Sequence, residues 1–250
     1  MINISQIRIN EIVDLIHDAL CRYKLESTDL LIVESIPLKV MKEIYRIFNV
    51  DNKYPRLLDK DEFESIKSNV FFHGTPKERR KYWIEDIQKD EFVCHLNNIT
   101  YPDRIGAKLR FGYGYYFSDN IMYITNYLSK CHHKCVFKND VEDYLVAAKF
   151  KMNSKIIDIK EIKEKISSIF PEIENQHQIK IHCNNSFEEK KIISSFLFNH
   201  PHHQSLAATL LGFDGIKVYR TESKKSDIPL PRMEYVITNR EILELYIPKH

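Results

Sequence analysis

The stretch Gly112-Tyr113-Gly114-Tyr115-Tyr116-Phe117-Ser118-Asp119-Asn120 constrains this chain most, because it places two of only six glycines one residue apart. Glycine weakens the interior of a strand, so a spaced pair marks backbone that must bend or come close to a ligand. In an extended run Tyr115 and Tyr116 point to opposite faces. Ser118 is then placed to cap a helix with Ile121, Ile124 and Leu128 on one side. Glycine turn, aromatic platform and helix start together suit the floor of a site for a flat ligand. A hairpin turn with exposed tyrosines is the alternative at even weight.

The chain has 250 residues, 43% of them hydrophobic, which is enough for one cored domain with an appendage. Its near-balanced charge of +2 does not call for nucleic acid or an acidic membrane. Abundant isoleucine, lysine and asparagine point to an AT-rich coding genome. No signal peptide or long apolar run is visible, so the expectation is a cytoplasmic chain, with export by a route that reads no apolar signal left open. Five scattered cysteines argue for free thiols rather than a disulfide framework.

Asn10 can cap an amphipathic helix with Ile12, Leu15, Ile16, Ala19, Leu20 and Tyr23 on one side. Ser35 and Pro37 open a second, with Val40, Met41, Ile44, Tyr45 and Phe48 inward. Residues 49–64, polar and carrying Pro55, read as a linker. The expected organisation is a helical segment over 1–60 and a second unit over 61–250. In that unit, strands are expected at 69–74, 144–152, 216–219, 233–238 and 242–245. Helices are expected at 77–90, 160–170, 187–199 and 206–211, the last stopping at Gly212-Phe213-Asp214-Gly215. Residues 95–111 read as a loop over a site, and 221–230, with Lys224 and Lys225, as an exposed loop.

Three residues stand out. His73 ends an apolar strand and precedes Gly74 and Thr75; Tyr116 belongs to the glycine-flanked turn; Glu234 opens an apolar strand after a proline-containing loop. Each has a bland reading: a structural hydrogen-bonding histidine, a half-buried strand tyrosine, a solvated strand-edge acid. Their order in the chain changes the weighing.

His73-Gly74-Thr75, then Gly112-Tyr-Gly-Tyr-Tyr116-Phe117, then Glu234-Tyr235-Val236 resembles the ADP-ribosyltransferase family, in the His–Tyr–Glu branch that includes diphtheria toxin and the poly(ADP-ribose) polymerases. Asn126-Tyr127 stands eleven residues after Tyr116, where the polymerases carry a second stacking tyrosine. Leu211-Gly-Phe-Asp-Gly215 is similar to a turn of many bacterial transferases, and the resemblance spans roughly residues 66–246. It implies an α+β core of two packed, mostly antiparallel sheets flanked by helices, with a short N-terminal helical segment. It implies NAD as co-substrate, with no metal, and transfer of ADP-ribose to a macromolecule, protein before nucleic acid. Such a compact enzyme would fit a bacterial toxin or effector. An NAD glycohydrolase, or an inactive module that binds NAD, ADP-ribose or a protein, is the alternative.

The resemblance also implies roles. Glu234 would stabilise the oxocarbenium ion that forms when the nicotinamide–ribose bond breaks. Tyr116 and Tyr127 would sandwich the nicotinamide. Gly74 would hold the carboxamide through its backbone, His73 a ribose hydroxyl, and Thr75 would assist. Where the polymerases place a carboxamide-binding serine this chain has Ile124, with Thr125 adjacent. Arg232 stands where arginine-modifying toxins carry a second carboxylate, so arginine gains no support as acceptor. The run Cys131-His132-His133-Lys134-Cys135 lacks an ordinary zinc spacing and is expected to be metal-free.

Overall fold

The structure is a computed structural model that describes residues 54–75, 114–125, 145–169, 186–199, 204–221 and 232–248, together with residues 11, 13, 14, 17, 18, 21 and 22. Among the described residues eight strands form one sheet: β1 Arg56–Leu58, β2 Phe71–Gly74, β3 Tyr115–Ser118, β4 Leu145–Phe150, β5 Ile156–Asp158, β6 Gly215–Arg220, β7 Arg232–Ile237 and β8 Leu243–Tyr246. The order is β1-β8-β4-β2-β3-β7-β6-β5. The β1–β8 and β5–β6 pairings are parallel and the other five antiparallel. The mixed helix–strand class and the mostly antiparallel pairing agree with the sequence. The two packed sheets expected do not appear among the described residues, because β2 pairs with β4 on one side and β3 on the other and carries the ladder across.

That ladder is narrow at one point. β2 and β3 share a single register pair, Phe72↔Ser118, whereas β2 pairs with β4 over four residues and β3 with β7 over four. The sheet is therefore two four-stranded halves joined at one residue pair.

Side chains alternate across the pleat. One face carries the aromatic cluster of Phe71, Phe117, Phe150 and Tyr235. Phe71 and Phe150 stack at 4.1 Å, and Tyr235 meets Phe71 edge-on at 4.6 Å. Such pairs add about 1 kcal/mol each beyond the area they bury. The cluster crosses from β2 and β4 to β3 and β7, so packing reinforces the thin junction. β4 is buried along most of its length, which explains its apolar run. Its exception, Lys149, is 4% exposed and donates to the carbonyls of Phe63 and Ile66. Those carbonyls end helix α1, Lys60–Ser65, so the cation satisfies acceptors that a helix C-terminus leaves open.

The stretch 49–64, expected as a linker, thus supplies a strand and a helix where it is described. The missed signal is Asp59-x-x-Glu62: Asp59 accepts from Glu62 N at 2.8 Å and Glu62 reaches back to Asp59 N. Strand β5 was also missed, since its three residues carry no clear period. Among the described residues the sheet begins at Arg56.

Helices α2 Ile159–Ile169, α3 Phe187–Asn199 and α4 Gln204–Leu210 match the expected positions and pack together beside β5 and β6. α4 ends in a Schellman motif: Gly212 has φ +80°, Gly212 N donates to Thr209 O and Phe213 N to Ala208 O. Asp214 then ties three segments together, its carboxylate accepting from Lys155 N and Asn239 Nδ2 and its carbonyl from Thr238 N and Asn239 N. The N-terminal helix docks on α3 through His17 Nε2 and Glu189 Oε2 at 3.0 Å, both buried, and through Lys190 with Asp14 at 2.6 Å. Cys21 is disulfide-bonded, which corrects the expectation of free thiols there. The expected elements at 35–48, 77–90 and 95–111, the loop 222–230 and the Cys131–Cys135 run lie outside the described residues.

Gly114 and Gly212 separate two reasons for glycine. A Cβ on Gly212 would meet nothing within 4 Å, whereas one on Gly114, at φ +154°, would stand 2.7 Å from Val236 Cγ1 and 3.0 Å from Ile237 O. Gly212→Ala should cost about 1 kcal/mol of backbone strain, and Gly114→Ala about 2–4 kcal/mol because overpacking is added. Urea denaturation of both variants checks this; equal losses would mean that close approach to β7 is not what requires Gly114.

Candidate functional site

Gly114 answers the first question the sequence raises about the turn: at this glycine the backbone closes on strand β7 of its own chain. Gly112 lies outside the described residues. Tyr115 and Tyr116 do point to opposite faces, Tyr115 fully buried and Tyr116 half-buried. Ser118 is a buried strand residue and not the helix cap. The cap is Asn120, whose Oδ1 accepts from Tyr123 N at 3.0 Å and whose carbonyl accepts from Ile124 N. Ser118 Oγ accepts from Asn120 N at 3.2 Å and so supports the cap from two residues earlier.

The three motif residues fall on three adjacent strands, β2, β3 and β7. Register decides which share a face. Ser118 pairs with Glu234 and Tyr116 with Val236, so Tyr116 and Glu234 are diagonal neighbours on one face. Ladder geometry separates such neighbours by about 7–8 Å. His73 alternates with Phe72, the partner of Ser118, and its side chain takes the opposite face, where the ring meets Phe117 edge-on at 5.9 Å. The structure brings Tyr116 and Glu234 together and links His73 to them through backbone: His73 Nδ1 donates to Tyr116 O at 2.8 Å. Because a carbonyl only accepts, Nδ1 carries the proton and Nε2 of the neutral ring is an acceptor. Burial lowers His73 from 6.5 to about 4, against the raising effect of the Tyr116 bond. This bond spans the two strands just past their one ladder pair.

Gly74 ends β2 and Thr75 is buried beside it. Ile124 is buried with Leu145, and Phe72 and Tyr123 pack against the two. Ile124 is therefore a core residue and offers no polar group to a ligand. Thr125 donates its hydroxyl to Ile121 O at 3.0 Å, a bond within its own helix. Tyr127 lies outside the described residues.

Glu234 is 13% exposed and does not stand alone. Arg232 Nε donates to its Oε1 at 2.9 Å, and Arg220 Nε lies 3.6 Å from Oε2. Arg220 and Arg232 are directly opposed across β6 and β7, an arrangement that repels unless an acid lies close by. The Arg232 guanidinium lies over the Tyr123 ring, 4.0 Å from its centroid. Burial raises the Tyr123 phenol first, and the negative charge of Glu234 raises it further, with Arg232 opposing. Tyr123 and Arg220 were not singled out by the sequence. Arg232-x-Glu234 was a legible signal, since a spacing of two on a strand puts both side chains on one face.

Neither the protein-family models nor the curated proteins nor the solved structures yield a match to this chain. Among the described residues there is no group of three side chains suited to a metal ion, and no helix is long and apolar enough to cross a membrane.

The depressed His73 gives a signed expectation. Between about 4 and 6.5 the unfolded chain binds the proton that the folded ring refuses, so stability falls as pH drops through that window. The whole interval corresponds to about 3 kcal/mol. His73→Asn retains a donor for Tyr116 O and does not titrate. Urea melts at pH 7 and pH 4 should show the wild type losing about 3 kcal/mol more than His73→Asn; parallel losses would place the ring in an environment unlike the one described.

Proposed function

We propose that this protein is an NAD-dependent ADP-ribosyltransferase that moves ADP-ribose to a macromolecular acceptor and releases nicotinamide. The observation that carries the reading is the arrival of the three motifs on adjacent strands, with Tyr116 and Glu234 diagonal on one face. Chain order alone does not require that, since residues 116 and 234 are far apart in sequence.

In the reaction, the bond between nicotinamide nitrogen and the ribose carbon breaks and its electron pair leaves with nicotinamide. The ribose becomes an oxocarbenium ion. The acceptor's nucleophile then forms the new bond and gives up its proton. Glu234 opposes the positive charge as it develops, an effect largest in the transition state. Tyr116 offers an aromatic face to the nicotinamide, joined in this reading by Tyr127. The ribose-hydroxyl role expected for His73 does not fit this face, because its ring lies on the other one; in this reading His73 supports Tyr116 through the bond from Nδ1 to the Tyr116 carbonyl, and Gly74 offers backbone groups with no side chain in the way. Thr75 and Thr125 complete the set of residues assigned to NAD.

A second reading has its own observation. Two guanidiniums bracket Glu234, and positive charge there opposes a cation on the ribose. That favours a module that binds NAD or ADP-ribose without turnover. Incubation with labelled NAD and a cell lysate separates the possibilities. Label on macromolecules supports the transferase, free ADP-ribose alone a glycohydrolase, and NAD binding without nicotinamide release the module.

Glu234→Gln should lower nicotinamide release by about 10²–10³ per folded molecule, with NAD affinity changed far less. The isosteric change removes no buried apolar area, yet it is not neutral for stability. Arg232, which is 7% exposed, donates to Glu234, and the variant takes away the negative charge that this buried guanidinium faces. A loss of about 1–3 kcal/mol is expected, below the full cost for a buried pair because Glu234 is partly solvated. Turnover, affinity and urea midpoint on one preparation decide the matter; a destabilised variant with wild-type turnover per folded molecule would make Glu234 structural.

A further inference from the structure

We propose that Tyr123 and Arg232 are positioning residues for Glu234, holding its carboxylate in one orientation on the sheet face. The inference rests on the transferase reading of Glu234. Arg232 is held on two sides. Its guanidinium lies over the Tyr123 ring at 4.0 Å, and its Nε donates to Glu234 Oε1 at 2.9 Å. Arg220 approaches the other carboxylate oxygen at 3.6 Å, so both oxygens face a cation.

Tyr123 is itself fixed. Its backbone N donates to Asn120 Oδ1 at 3.0 Å, and Ile124 beside it is buried with Leu145, with Phe72 and Tyr123 packed against that pair. The ring cannot swing away without opening this cluster. Burial first, and then the charge of Glu234, raise the Tyr123 phenol, in keeping with a ring set beside that carboxylate. The network joins the helix at 121–125 to β6 and β7 at the one acid assigned to chemistry.

Stability alone accounts poorly for the arrangement. A buried Arg–carboxylate pair adds little net stability over apolar packing, and opposed arginines on neighbouring strands cost energy. What the arrangement does supply is geometry, since a guanidinium binds a carboxylate directionally and stacks flat on a ring. A carboxylate that must face a developing cation benefits from being fixed beforehand, because no reorganisation is then needed during reaction.

The test uses the full chain and four proteins: wild type, Arg232→Lys, Glu234→Gln and the double variant. Arg232→Lys keeps the charge and loses both the flat stacking on Tyr123 and the directional Nε bond to Glu234. Nicotinamide release from NAD is followed over substrate concentration and pinned to the folded fraction by thermal melts. Arg232→Lys should lower kcat about tenfold, the size of one hydrogen bond to a charged group. Its KM should stay within about twofold, the pattern for an interaction felt in the transition state. In the Glu234→Gln background, Arg232→Lys should add nothing, because the group it positions is gone. An unchanged kcat, a loss carried by KM, or a tenfold loss that persists in the Glu234→Gln background overturns the positioning role while leaving the transferase reading intact. A wild type that releases no nicotinamide overturns the transferase reading and this role with it.

Discussion

The two halves of the sheet depend on the contact between β2 and β3. A single ladder pair, Phe72↔Ser118, joins them, and past it the His73 ring bonds the Tyr116 carbonyl at 2.8 Å. A backbone carbonyl in that position needs a donor, and a sheet that stops pairing cannot supply one from the neighbouring strand. A neutral imidazole can. Burial keeps the ring neutral, and neutrality fixes Nδ1–H as donor and Nε2 as acceptor. Behind the junction, Phe71, Phe117, Phe150 and Tyr235 pack across both halves. The motif residues stand where they do because this junction holds β2, β3 and β7 side by side.

On the other face the governing interaction is electrostatic. Glu234 lies next to two arginines that its own ladder brings into opposition. The carboxylate lessens their repulsion and they hold it in place, so neither side is interchangeable with an uncharged residue. The same contacts set a tension for the chemistry. Cations that orient the carboxylate also offset part of the negative charge it presents to a ribose. Whether orientation or neutralisation weighs more is what separates an enzyme from a binding module here.

Much of the fold was legible because its signals are local. The apolar runs of β2, β4, β6 and β7, the period of α2 and the Gly212 stop each lie within a few residues of sequence. The failures have physical causes of two kinds. Some signals were local and passed over, as with the Asp59–Glu62 capping box inside the supposed linker, or Asn120 as the cap in place of Ser118. Others exist only in three dimensions. Nothing near Lys149 in sequence says that the carbonyls of Phe63 and Ile66 receive its charge, and nothing near Gly114 says that Val236 excludes a Cβ. For the site, the types and order of His73, Tyr116 and Glu234 were readable. That His73 takes the opposite face, and that Arg220 faces Arg232 beside the acid, depends on register, which one sequence read without its partners does not disclose.

The central claim is that NAD lies on the sheet face shared by Tyr116 and Glu234. A crystal structure of the full chain with a non-cleavable NAD analogue, its ribose ring oxygen replaced by carbon, tests it most directly. The account predicts the nicotinamide in contact with the Tyr116 ring and the adjoining ribose within hydrogen-bond reach of Glu234. An analogue bound elsewhere, with Glu234 still closed between Arg220 and Arg232, would contradict it.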